Sequence, residues 1–350
     1  MHTTLSGARP MSWLARLAPR RARATSPGET SPGVAEDDVR WAYRLLLDRE
    51  AESDAVVREK LVLASRRELR NAILLSPEFR SRNPEIAGFD ETCIVLAELA
   101  GGCRIYVDLS DVYVGQAIAR GAYERDEADL VRRLVAPGQN AIDCGANLGF
   151  YTLLLASLLG PDGRVHAFEP LPANAALLDR SIAENRLGDR IALERVALGR
   201  SADVLHLVHV PGGVNSGGAF LAPRDQPVPP GHAAVPVAVR KLDDVALRRP
   251  ISFVKLDVEG AEPLVLEGAR ELLAADRPVV LSEIHRAQLA RVAGTTPAEL
   301  IADLADRGWE CRRVAPGGRL GEAVRDVGEP IASVAFVHRD RAAEVLARAQ

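Results

Sequence analysis

The run Asn140-Ala-Ile-Asp-Cys-Gly-Ala-Asn-Leu-Gly149, continued by Phe150-Tyr-Thr-Leu-Leu-Leu-Ala-Ser-Leu-Leu159, decides the fold. Asn140 to Asp143 is a short buried-strand pattern, Cys144 to Gly149 is a turn carrying two glycines, and Phe150 to Leu159 is apolar enough for a buried helix. The segment reads strand, glycine turn, helix. Without a Cβ, glycine lets a ligand approach the backbone N–H groups at the start of that helix. The turn is not a dinucleotide fingerprint, because Gly145 and Gly149 are four apart with no Gly-x-Gly between them. The carboxylate of Asp143 ahead of the first glycine would oppose a pyrophosphate and suits a ligand bearing an ammonium group.

Working outward, Arg164 to Phe168 is a second strand ending in Glu169, at the distance where a Rossmann strand presents an acid to ribose hydroxyls. Ile251 to Leu256 is a further strand that ends in Asp257-Val-Glu259-Gly260, with a helix expected from Glu262 to Ala274. Val279 to Ile284 leads to Glu283 and His285, two residues apart and so on one face of an extended segment. Strand and helix signals alternate through most of this part of the chain, which predicts a parallel sheet covered by helices on both faces. Ligands in such sheets bind at the carboxyl ends of the strands, where Asp257, Glu259, Glu283 and His285 all fall. They are the catalytic candidates. His285 is the first choice for removing a proton, since an unperturbed imidazole titrates near working pH.

Asp143 to Gly149, Phe168-Glu169-Pro170, Val196-Ala-Leu-Gly199, Leu242-Asp243-Asp244, Lys255-Leu-Asp-Val-Glu-Gly-Ala-Glu262 and Glu283-Ile-His285 together resemble the FkbM family of S-adenosylmethionine-dependent methyltransferases, over roughly residues 121–337. The resemblance implies an α/β class I Rossmann-like methyltransferase sheet, mostly parallel with its last strand, Ile331 to Val337, antiparallel. It implies that Gly145, Ala146, Asn147 and Gly149 line the methionine end of the cofactor, with Asp143 by its amino group and Glu169 on the ribose. Val196-Ala197 would end the third strand beside the adenine, with no acid there for the exocyclic amine. Gly121-Ala-Tyr-Glu124 matches the family's segment ahead of the first strand, so Tyr123 and Glu124 are expected to close the pocket. A hydroxyl on a sugar, glycan or natural product is the implied acceptor. Two rivals are a nicotinamide-dependent Rossmann oxidoreductase and a catalytically silent binding subunit of a glycan-assembly complex, which would keep Glu169 without needing Glu283 and His285.

Ahead of this domain, taken as residues 90–340, the sequence predicts a basic, proline-interrupted tail over 1–34 and a small all-α module over 35–85. Tyr43-Arg44-x-Leu-Leu and Ser76-Pro-Glu-Phe79 in that module resemble a phycobilisome-linker-like helical unit. Between them and the glycine turn, Ile105, Val107, Val112 and Val114 suggest small strands. The whole chain has 350 residues, 47% hydrophobic and 26% charged, with a formal charge of −4, so no overall field draws in nucleic acid or an anionic membrane. No run reaches the ~18 apolar residues of a membrane span. Four dispersed cysteines fit neither a zinc site nor a disulfide framework, and a reducing cytoplasm is expected. Asp243 and Asp244 are read as a turn pair rather than metal ligands, and no metal is expected.

Overall fold

The structure is a computed structural model describing residues 34–63, 66–74, 76–82, 94–211 and 215–350; the tail over 1–33 lies outside the described residues. The chain divides into two compact units, Met1–Gly88 and Phe89–Gln350. In the first, four helices, Glu36–Leu47, Asp54–Lys60, Arg66–Leu74 and Pro77–Arg82, enclose Val39, Tyr43, Leu47, Val57, Leu69, Ile73 and Phe79. The last helix begins at the expected cap: Ser76 Oγ accepts the Phe79 N–H at 3.1 Å.

The second unit is built on eight strands: β1 (Asn140–Cys144), β2 (Arg164–Phe168), β3 (Ile191–Glu194), β4 (Ile251–Leu256), β5 (Val279–His285), β6 (Trp309–Ala315), β7 (Arg319–Val324) and β8 (Ile331–His338). Their order is 7-6-8-5-4-1-2-3. Pairs from β3 through β5 are parallel, whereas β8 runs antiparallel between β5 and β6. Strand alternation divides the core in two. Ala141, Val165, Phe253 and Leu281 face one side, against helices Arg125–Leu134, Phe150–Leu159 and Pro172–Glu184. Ile142, Phe168, Val254 and Val280 face the other, against helices Glu262–Glu267, Arg270–Asp276 and Pro297–Asp306. Both faces are covered, which is why these strands read as apolar runs and not as alternating ones.

A second sheet, ordered Ala197–Leu198, Ala233–Arg240, Asp203–His209, Phe220–Ala222, accounts for the long insertion between β3 and β4. The third strand of the main sheet therefore ends at Glu194 and not at Val196-Ala197; Ala197 pairs with Val239 in the second sheet. Two other details depart from expectation. Ile94–Glu98 and Arg104–Asp108 form the anticipated small strands, but Val112 and Val114 lie in a turn held by Asp111, whose Oδ1 accepts the N–H groups of Tyr113 and Val114. The expected helix from Glu262 breaks at Gly268, where a Cβ would sit 2.1 Å from the Gly199 carbonyl oxygen, and Asp243 caps the following helix by accepting from Glu271 N and Leu272 N at 3.0 Å. Among the described residues, no helix is long and apolar enough to cross a membrane.

Candidate active site

A cleft of about 540 Å³ opens at the carboxyl ends of β1, β2, β4 and β5, where the strand order reverses direction between β1 and β4. One wall is the glycine turn. Gly145 has φ +78°, and a Cβ there would lie 1.9 Å from the Asp257 carbonyl oxygen, so only glycine lets the ends of β1 and β4 meet. Gly145, Ala146 and Asn147 line the cleft as expected. Gly149 does not: it caps helix Phe150–Leu159 at φ +98°, and a Cβ there would meet Leu178 Cδ1 at 2.3 Å, so its role is close helix packing.

Asp143 also departs from expectation. Its side chain is buried behind the turn, where Thr152 Oγ1 donates to it at 2.5 Å, and it is not among the residues lining the cleft. β1 is buried on both faces, so its apolar pattern carries no information about which way Asp143 points. Burial pushes its carboxyl up to about 6 against the opposing effects of Thr152 and Lys255.

Glu169 does line the cleft. Its two oxygens accept the N–H groups of Asn147 and Leu171, each at 2.7 Å, which ties the glycine turn to the end of β2. Burial pushes this carboxyl up to about 7 despite both bonds. Each oxygen retains a lone pair for a ribose hydroxyl. Ala197 lines the cleft as well, although it arrives from the second sheet and not from the end of β3.

Asp257, Glu259, Glu283 and His285 all converge on the cleft from the ends of β4 and β5. Burial, then the nearby Asp257, push Glu259 to about 8 and Glu283 to about 7. Asp257 is bound to the Lys255 ammonium at 2.9 Å. Glu262 instead uses one oxygen to hold the turn, accepting from Val258 N and Gly260 N. His285 caps helix Arg286–Val292: its Nδ1 accepts the Gln288 N–H at 3.3 Å. A neutral imidazole that accepts at Nδ1 carries its proton on Nε2, so in this arrangement the ring is a donor and not the free base anticipated from its type.

Several contributors had no local signature. Asn147 Oδ1 accepts from Asn174 Nδ2 and Ser216 Oγ, both at 2.9 Å, and Asp111 Oδ2 accepts from Ser216 N at 3.1 Å. The insertion loop is thereby fastened to the cofactor turn. Glu124 lines the cleft, accepts from Tyr151 Oη at 2.6 Å and lies 3.8 Å from Lys255 Nζ. Glu124, Asn147 and Glu259 share a left-handed backbone, with φ of 37°, 50° and 51°. Lys255 had a signal, being one of only three lysines and two residues before Asp257, hence on the same strand face.

These features fit S-adenosylmethionine. A glycine turn that admits no Cβ, a buried carboxylate with spare lone pairs, and carboxylates that outnumber cations together suit a cofactor with two positive centres. Residues 143–310 match the family described as the methyltransferase FkbM domain. A 31-O-demethyl-FK506 methyltransferase, FkbM, of Streptomyces tacrolimicus is 29% identical over 179 residues, covering 43% of this chain and 66% of that protein. The methyltransferase sdnD of Sordaria araneosa is 28% identical over 159 residues, or 37% of this chain and 60% of that one. The chain thus spans somewhat under two thirds of these relatives. Among solved structures, an FkbM methyltransferase from Methylobacillus flagellatus KT aligns over 85% of this chain and 58% of its own, with 16% identity and a TM-score of 0.38. The cleft and the sequence match thus coincide on the same strands: residues 143–310 match the methyltransferase FkbM domain, and the residues lining the cleft fit S-adenosylmethionine as methyl donor.

Proposed function

We propose that the protein transfers a methyl group from S-adenosylmethionine to a hydroxyl of a sugar, glycan or natural product. The observation that carries this reading is the convergence of Asp257, Glu259, Glu283 and His285 beside the glycine turn and Glu169. When bound, the cofactor supplies an electrophilic methyl on a sulfonium leaving group, so the protein's work is alignment and removal of the acceptor proton. Glu283 takes that proton. It lies at the carboxyl end of β5, forms no direct ion pair among the described residues, and its position near 7 matches the requirement for a base at neutral pH. His285, holding its Nε2–H, donates to an acceptor oxygen and orients it. Among the described residues lining the cleft, Lys255 is the one lysine or arginine, and it is already paired. An uncharged polyhydroxyl acceptor suits such a surface; a phosphorylated or nucleic-acid acceptor would meet uncompensated carboxylates.

The test is transfer of label from S-adenosylmethionine to extracts of the source cell, followed by identification of the labelled product. A methyl ether is expected. Glu283→Gln should lower turnover by about 10²–10⁴-fold with S-adenosylhomocysteine affinity unchanged, while His285→Ala costs less. Label on nitrogen or carbon, or a Glu283→Gln enzyme of undiminished rate, would overturn the reading.

A further inference from the structure

Lys255 occupies an unusual position for a lysine: its side chain is 3% exposed, yet it lines the cleft. Every element packed around it turns an ionisable or aromatic group toward it. From its own strand comes Asp257, with 2.9 Å between Nζ and Oδ2. From the segment ahead of helix Arg125–Leu134 comes Glu124, at 3.8 Å. Helix Phe150–Leu159 contributes the Tyr151 ring, whose centroid lies 4.8 Å from Nζ and whose hydroxyl donates to the same Glu124. Asp143 stands on β1 as the register partner of Lys255, on the same face of the sheet. On β5, Glu283 is one step beyond the last pair with β4, Leu256 with Ser282, and so beside Asp257. A buried ammonium is retained only when it is paired. Here burial works against the charge, and Asp257 and Glu124 outweigh it, keeping the group protonated well past the ordinary lysine range.

We propose that Lys255 is the positioning residue of the transfer: it fixes Asp257 and neighbouring Glu283 as an anionic pair facing the acceptor and ties Glu124 and Tyr151 into the donor wall. The inference rests on the O-methyltransferase reading, with Glu283 as proton acceptor. Two carboxylates side by side on adjacent parallel strands repel one another, and each favours protonation of the other. A cation between them and Glu124 opposes that effect. Its ammonium draws the Glu283 carboxyl down, against burial and Asp257, which push it up. Without the cation, Glu283 would hold its proton at neutral pH and could not accept another.

The readout is the acid limb of kcat/KM between pH 6 and 9, measured with labelled S-adenosylmethionine on the full chain. In Lys255→Met the limb should move up by about one pH unit or more, so that a loss of about fivefold or more at pH 7 shrinks toward pH 9. Lys255→Arg, which keeps the cation, should leave the limb in place even where its rate falls. A Lys255→Met profile parallel to the wild type, with an equal loss at every pH, would overturn the proposal. So would failure of both Lys255→Met and Lys255→Gln to fold while Lys255→Arg keeps the wild-type rate, since the cation would then be purely structural. If the wild-type enzyme yields no methylated product, the function reading fails first and takes this inference with it; product from wild type with a parallel mutant profile rejects the role of Lys255 alone.

Discussion

Glu169→Ala tests the proposed cofactor half of the cleft at the residue that ties the glycine turn to β2. The carboxylate accepts two backbone N–H groups, from Asn147 and Leu171, each at 2.7 Å in a setting where Glu169 is only 5% exposed. Leaving a buried donor unpaired costs about 1–3 kcal/mol, and water entering the vacated space offsets part of that, so a stability loss of about 2–4 kcal/mol is expected. For a unit of this size that is roughly 4–16 °C in Tm. Losing the ribose contacts adds about 1–3 kcal/mol to the binding of S-adenosylhomocysteine, or roughly 5- to 150-fold in Kd. The assay is calorimetry on wild type and mutant, with thermal unfolding recorded with and without the nucleoside. The wild type has a further signature: a carboxyl pushed up to about 7 is partly protonated at neutral pH, and ribose hydroxyls donating to it favour the anion. Binding should therefore release protons and tighten between pH 6 and 8. A Glu169→Ala protein with wild-type Tm and wild-type affinity would refute the reasoning, and binding that weakens as pH rises would refute the ionisation argument.

Gly145→Ala should abolish S-adenosylhomocysteine binding in calorimetry and lower Tm, because its Cβ would lie 1.9 Å from the Asp257 carbonyl oxygen on a left-handed backbone; retained binding would count against the glycine turn as the donor cradle. The unliganded protein should lose stability as pH rises from 6.5 to 8, followed as Tm in scanning calorimetry. Glu169, Glu262 and Glu283, at about 7, and Glu259, at about 8, all lie above the 4.5 of a free glutamate, so the stability they confer is full below 4.5 and is lost as pH climbs through those values. His166, held down to about 4 by burial, acts in the opposite sense, but its contribution is already complete above 6.5. A difference of roughly two bound protons near pH 7 corresponds to at most about 3 kcal/mol per pH unit. A flat or rising Tm in that window would contradict this balance.

The parallel part of the central sheet was readable because its evidence is local. β1, β4 and β5 are largely apolar runs bounded by turns, and the glycine turn announces a helix directly after it, whereas β6 and β7, with Glu310, Arg312, Arg313 and Glu322, offered no such run. The residues at strand ends, Glu169, Asp257, Glu283 and His285, were placed correctly by the same logic, since a carboxyl edge is a position in sequence before it is one in space. What could not be read is orientation and long-range company. Asp143 turns to Thr152 because a strand buried on both sides gives no alternation to choose a face. The His285 ring is committed to Gln288 N–H because the chain turns into a helix immediately after β5, a capping role that residue type alone does not reveal. Ser216 reaches Asn147 across 69 residues and Asp111 across 105, with no periodicity linking them. The requirement for glycine at the break, Gly268, is equally non-local, since a Cβ there would meet the Gly199 carbonyl from a distant loop.

Of the six non-glycine residues with left-handed backbone among those described, Glu124, Asn147 and Glu259 border the cleft. Such a conformation costs an L-residue about 1–2 kcal/mol, with asparagine at the mild end, and glycine would relieve it. Selection for thermal robustness alone would therefore favour glycine at Glu259, yet that exchange removes a carboxylate from the cleft, whereas at Glu124 the relief is offset by loss of the partner of Tyr151 and Lys255. The rim of the cleft thus holds three of these six strained residues, and stabilising substitutions recovered by an unbiased screen should fall mostly elsewhere, while glycine at Glu259 should raise Tm at the expense of turnover.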